Sequence, residues 1–180
     1  MPKPYFYNKN RVIDEILRVN HAGEYGAVRI YQGQLSAVTD VVTSTKMTIE
    51  HMLEGEQKHL AYFENQIESN YARPTFFLPL WHVGGYMMGK ISALIGPKTA
   101  MLCTEAVEDV IDAHYATQKE VLHDIGEHDL AAKIEEFRLE ELEHRSIAID
   151  HGSRDSPAYN TMRLLISKMC HLAIWMSKAV

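Results

Sequence analysis

A chain of 180 residues with 46% hydrophobic and 23% charged residues can bury a core, which excludes intrinsic disorder. Its net charge of −6 gives no general attraction to nucleic acid, and none is expected as a partner. Two cysteines, Cys103 and Cys170, are too few for a disulfide framework; they fit a reducing compartment and are expected as small buried apolar residues.

Residues 1–10 are expected to form a flexible tail. They carry neither the apolar run of a secretory signal nor the Arg-rich pattern of a transit peptide. From residue 14 to about 38, Ile16, Leu17, Val28, Tyr31 and Leu35 recur at helical spacing. Gly23 and Gly26 flank Glu24 in this stretch and weaken a helix by roughly 1 kcal/mol each relative to alanine. That cost points to close approach of a neighbouring element or a ligand. Residues 39–48, rich in Thr, Ser and β-branched side chains, read as a turn, and residues 49 to about 70 as a second helix. Pro74 and Pro79 interrupt the pattern over residues 71–79. Residues 80–95 form an apolar helix holding Trp81, Met87 and Met88, ended by Gly96 and Pro97. A fourth helix covers residues 98–123, a turn follows at 126–129, and a fifth covers 130–150. Beyond Gly152 and Pro157 a sixth, again apolar and Met-rich, runs to the end. No strand pattern appears, so the fold class is all-α.

Within this frame Glu56-Gln57-Lys58-His59 returns as Glu141-Leu142-Glu143-His144. A glutamate and a histidine three apart on a helix lie about 60° apart in projection and can reach one metal ion. Each pair follows a lone glutamate at matching distance, Glu24 by 32 positions and Glu108 by 33. This is the ligand inventory of a carboxylate-bridged di-iron centre in a four-helix bundle. An offset of 84 or 85 also relates Tyr31 to Tyr115 and places the apolar third helix on the apolar sixth. The chain thus reads as two copies of a three-helix unit: a bundle around two iron ions plus two extra apolar helices, in a single domain over residues 1–180. Iron that activates oxygen needs hard oxygen donors, imidazole and open coordination positions, and four glutamates neutralise two ferrous ions.

Glu54, Glu64, Glu68, Glu135, Glu136 and Glu140 are read as surface residues of amphipathic helices. A third Glu-x-x-His, Glu120 to His123, lies roughly 18 Å along the helix from Glu108 and is set aside. Tyr31 and Tyr115 share a face with the lone glutamates, either as core aromatics or as carriers of electrons or protons. His114 and His151 are candidates for contacts behind the ligands or with substrate, against ordinary surface or core positions; Asp112 is a candidate to orient a ligating imidazole. Residues 80–95 fall short of the ~20 needed to span a bilayer. Core packing is one use for them and for residues 162–176; resting on a membrane surface or a partner is the favoured one.

The stretch Arg18-Val19-Asn20-His21-Ala22-Gly23-Glu24-Tyr25-Gly26, with Glu56 to His59, His114-Tyr115 and Glu140 to His144, resembles the demethoxyubiquinone hydroxylases, over nearly the whole chain from Arg11. The resemblance implies a ferritin-like di-iron monooxygenase that uses O2 to hydroxylate the ring of 3-demethoxyubiquinol, the penultimate step of ubiquinone biosynthesis. It implies metal ligation by Glu24, Glu56, His59, Glu108, Glu141 and His144, and matches His114 and Tyr115 to positions associated with quinone and electron transfer. Its implied partners are a polyprenyl quinol, an electron donor (NADH or a reductase) and other ubiquinone-biosynthesis proteins. The implied location is peripheral, on the cytoplasmic face of a bacterial cell membrane. Two rivals remain at this stage. One is a ferritin-like ferroxidase or iron-binding protein, poorly matched by the apolar helices. The other is a non-catalytic membrane-associated quinone or lipid carrier, poorly matched by an intact ligand set.

Overall fold

The computed structural model describes residues 9–38, 43–70 and 72–179. Six helices and one 3-10 turn follow in order: α1 Lys9–Leu35, α2 Thr43–Ser69, α3 Leu78–Ile95, α4 Pro97–Asp124, α5 His128–Asp150, the turn Ser153–Asp155, and α6 Tyr159–Ala179. No strand occurs among the described residues.

Helix boundaries differ from expectation where prolines and threonines were given too much weight. α1 already includes Lys9 and Asn10, so the rest of the expected tail, residues 1–8, lies outside the described residues. α2 starts at Thr43, which makes residues 43–48 helix rather than turn; residues 39–42 lie outside the described ones. Thr45 and Ile49 are buried there, and Thr48 returns its hydroxyl to the Ser44 carbonyl at 3.0 Å, so tertiary packing overrides weak propensity. Pro79 and Pro97 sit in the first turns of α3 and α4, where a missing N–H leaves no bond unmade. The α4–α5 corner closes on Gly126 with φ +78°, Glu127 N–H donating to the Leu122 carbonyl and Gly126 N–H to His123. Those two bonds stop the helix and make the left-handed glycine necessary.

α4 is the centre of the molecule. Every residue from Thr99 to Glu108 is buried, as expected of a helix covered on all sides. α1 with α2, and α4 with α5, form two hairpins whose α2 and α5 also meet, leaving a four-helix core. Apolar clusters plug its two ends: Leu17, Phe63, Leu122, Ile134 and Phe137 at one, Tyr31, Ile49, Met52, Met101 and Ala148 at the other.

The apolar helices flank this core. α3 lies against α1 with backbone touching backbone: a Cβ on Gly33 would stand 2.1 Å from the Tyr86 carbonyl oxygen, and one on Gly89 1.9 Å from that of Ile30. α6 packs on α4 and α1. On the outside, α3 exposes Leu80, Val83, Met87, Ile91 and Leu94, and α6 exposes Leu164, Leu165, Met169, Leu172 and Trp175. No described helix is long and apolar enough to cross a membrane.

Candidate metal centre

Glu24 on α1, Glu56 and His59 on α2, Glu108 on α4, and Glu141 and His144 on α5 all point into the core of the bundle and all are buried. Their donor atoms fall into two overlapping groups. Glu24, Glu56, His59 and Glu141 form one; Glu56, Glu108, Glu141 and His144 form the other, each group within 4.8 Å. Glu56 and Glu141 belong to both, so they stand between two potential metal positions.

The hydrogen bonds show which atoms are spoken for. His59 donates Nδ1–H to Glu141 Oε1 at 2.9 Å; His144 Nδ1 lies 3.1 Å from both Glu56 Oε1 and Glu141 Oε2. Tyr31 donates its hydroxyl to Glu108 Oε1 at 3.0 Å, and Tyr115 donates to Glu24 Oε1. Each tyrosine thus serves the glutamate of the opposite hairpin, fixing one oxygen. The second oxygens, Oε2 of Glu24, Glu56 and Glu108, are buried without any hydrogen-bond partner. An orphaned buried carboxylate oxygen costs several kcal/mol. Three of them within the two overlapping groups, beside two imidazoles, fit a pair of divalent ions with nitrogen and oxygen ligands.

Electrostatics agree. Burial raises the Glu56 and Glu108 carboxyls well above the usual range, and the charge of Glu141 adds to it. Burial opposes ionisation of Glu141 too, but hydrogen bonds and charge from His144 and His59 outweigh it and hold the group at about 2. Burial would lower His59, yet its hydrogen bond to Glu141 and the nearby Glu24 carboxylate push it up to about 12; the bond to Glu141 and its charge raise His144 too. Without metal, protons on imidazole and carboxyl supply the positive charge the cluster needs. Metal uptake at this cluster would release protons. Burial, then Glu108 for Tyr31 and Glu24 for Tyr115, raises both phenols well above 10, so both remain donors.

The remaining candidates separate. Burial, with Lys178 and His171 nearby, lowers His114 to about 4. Its Nε2 accepts from Gln118 Nε2 at 2.8 Å, and Gln118 pairs reciprocally with Asn20; His114 has no hydrogen bond to the six clustered residues. Asp112 does not orient an imidazole: it pairs with Arg138 at 2.6 Å on the partly exposed side of α4. His151 is exposed at the end of α5, bonded to Thr48 and the Ile147 carbonyl, away from the cluster. Glu120 and His123 are exposed. Cys103 is buried and Cys170 partly so. Glu140 is exposed, as expected, but it also makes a contact that the sequence reading missed. Its side chain is 48% exposed, yet its Oε2 accepts from His59 Nε2 at 2.6 Å. Its position directly before Glu141 was the available signal.

An apolar cavity of about 150 Å³ lies beside the cluster, walled by α1, α3, α4 and α6. Gly23 and Gly26 line it, and a Cβ on either would meet nothing within 4 Å. The missing side chains therefore open onto the cavity, while the backbone of Gly26 is also where α3 comes close: a Cβ on Gly85 would stand 2.8 Å from the Gly26 carbonyl oxygen. A smaller void continues inward, sharing Ala27, Ile30 and Val107 with the first and adding Tyr31 and Glu108. Outward, the cavity reaches exposed Gly23 and Gly84 and the exposed Met169 of α6.

A helix bundle with two lone glutamates, two Glu-x-x-His pairs and two shared carboxylates has the make-up of the dinuclear carboxylate proteins. The chain belongs to the family of ubiquinone biosynthesis protein COQ7, whose model matches residues 11–177. A protein of Rhodospirillum rubrum named 3-demethoxyubiquinol 3-hydroxylase is 47% identical, over 94% of this chain and 79% of the relative. The human mitochondrial protein named NADPH-dependent 3-demethoxyubiquinone 3-hydroxylase is 40% identical, over 92% and 77%. The Saccharomyces cerevisiae mitochondrial 5-demethoxyubiquinone hydroxylase is 35% identical, over 93% and 78%.

Proposed function

We infer that this protein is a 3-demethoxyubiquinol 3-hydroxylase, an oxidoreductase of ubiquinone biosynthesis, and that Glu24, Glu56, His59, Glu108, Glu141 and His144 hold its two iron ions. Family membership supports the activity. The observation that carries the ligand assignment is the pair of donor groups sharing Glu56 and Glu141, with three buried carboxylate oxygens left unbonded around them. Two ferrous ions bound there supply the electrons and the open coordination positions that O2 activation requires.

The residues of this chain supply the rest. Tyr31 and Tyr115 hold Glu108 and Glu24 by one oxygen each and leave the other for metal. They are also the groups nearest the ligands that could pass a proton or an electron, with His114, one residue from Tyr115, as the candidate beyond them. The apolar cavity takes the quinol ring and excludes water, with Ile30 and Val107 standing between it and the side of Glu108. The exposed stripes of α3 and α6 rest on a membrane surface, the cytoplasmic face in a bacterium, from which a polyprenyl tail reaches the cavity past Met169. The electron donor is a reduced nicotinamide nucleotide, direct or through a reductase; several eukaryotic relatives are named as NADPH-dependent.

The test is to incubate the protein with ferrous iron, a reductant, labelled dioxygen and a demethoxyquinone, and to seek by mass spectrometry a quinol carrying one labelled oxygen. Ferroxidase activity without that product would favour the iron-binding alternative. Glu108→Ala should lose iron and hydroxylation together while keeping its helical circular dichroism. Normal iron content with full hydroxylation in that variant would refute the ligand assignment.

A further inference from the structure

The two histidines of the centre are not held alike, although the repeat places them alike. In each half one residue precedes the Glu-x-x-His pair: Gly55 in the first, Glu140 in the second. Both face the histidine of the other half. Glu140 Oε2 lies 2.6 Å from His59 Nε2, whereas a Cβ on Gly55 would stand 3.1 Å from Cε1 and Nε2 of His144. So His59 is gripped at Nδ1 by Glu141, at Nε2 by Glu140, and across its face by Phe137 with ring centroids 4.1 Å apart. His144 has partners at Nδ1, an edge contact with Tyr31 at 6.5 Å, and no partner for Nε2 among the described residues.

A carboxylate behind a ligating imidazole keeps the proton on the far nitrogen, frees the near one for metal, stops the ring turning and raises its basicity. Only His59 has that support. We propose that the two metal positions are inequivalent: the Glu24–His59 position binds its ion more tightly and fills first, with Glu140 as the positioning residue responsible, and the Glu108–His144 position fills last and empties first. This rests on the six residues holding two metal ions. Loss of such an outer partner typically weakens metal binding by about 10- to 100-fold. Glu140 is half-exposed and partly screened, so the lower end, about tenfold, is expected here.

The experiment is a Co2+ titration of the full chain stripped of metal, followed by visible absorption and calorimetry. Wild type should bind in two steps at least about tenfold apart in Kd. Glu140→Ala should weaken the first step by about tenfold, so that the steps merge, and leave the second unchanged. Glu140→Gln, which keeps an acceptor oxygen, should restore part of the difference. Merely structural damage would weaken both steps together and shift the melting point of the metal-free protein. Two equal steps in wild type, an unchanged first step in Glu140→Ala, or equal weakening of both would overturn the proposal while leaving the six-residue centre standing. Failure of wild type to take up Co2+ would overturn both.

Discussion

An offset of 84 or 85 carries Glu24 onto Glu108, Tyr31 onto Tyr115 and both members of the first Glu-x-x-His pair onto the second, yet it carries Gly33 onto Thr117 and Gly89 onto Ala173. The halves α1–α3 and α4–α6 share their buried cluster of carboxylates and imidazoles and differ in how the third helix is attached. α3 is held to α1 by backbone approach at Gly33 and Gly89. Thr117 on α4 and Ala173 on α6 put side chains where those glycines would be, and polar bonds secure α6. Glu105, buried on α4, accepts from Ser153 Oγ and from Tyr159 at 2.8 Å, with Arg154 also in reach; Asp109 pairs with Arg163. The repeat preserves what the ligands require, while each apolar helix found its own way to dock.

The largest effect that would break this comparison is expected at Gly89. A methyl there would stand 1.9 Å from the Ile30 carbonyl oxygen, an atom of another helix backbone that cannot turn aside. Gly89→Ala should lose about 3 kcal/mol in chemical denaturation, the upper end of the overpacking range. If the two helices part at little cost, backbone approach is not what fastens α3. For the other half the matching change is Glu105→Ala, which leaves the fully buried Ser153 hydroxyl without its acceptor. About 2 kcal/mol should be lost. Limited proteolysis should then cut first around the Ser153–Asp155 turn, with α1–α3 intact.

Much of this was legible in the sequence, for physical reasons that differ by residue. The clustered glutamates and histidines stood out because a dinuclear site would need several carboxylates at fixed helical levels, and spacing is visible in one dimension. The helices were legible from their apolar period, though the start of α2 was hidden by its run of threonines and serines, and no local pattern announces the burial of Thr45. Gly33 and Gly89 gave no signal, because close approach depends on which helix lies opposite. The contact of Glu140 with His59 and that of Asp112 with Arg138 were hidden for the same reason: each partner is on another helix. Glu105 carries no signal of its own, because its burial depends on the chain beyond α5 folding over it.

The smallest effect concerns the cavity, where the halves meet. Gly23 and Gly26 of α1 correspond by the same offset to Val107 and Val110 of α4, and all four line it. One wall is bare backbone and the other is branched side chain. Packing does not require the bare wall, since a Cβ on Gly26 would touch nothing within 4 Å. Alanine is the better helix former by about 1 kcal/mol, so Gly26→Ala should raise the melting temperature. It should also push a methyl into the space assigned to the quinol, raising KM for the demethoxyquinol while iron content stays unchanged. A more stable protein with unaltered KM would mean that the ring does not lie against α1, and the glycine wall would need another explanation. Stabilisation joined to a higher KM would show that α1 gives up helix strength to make room for substrate, whereas α4 keeps its valines and its place at the centre of the core.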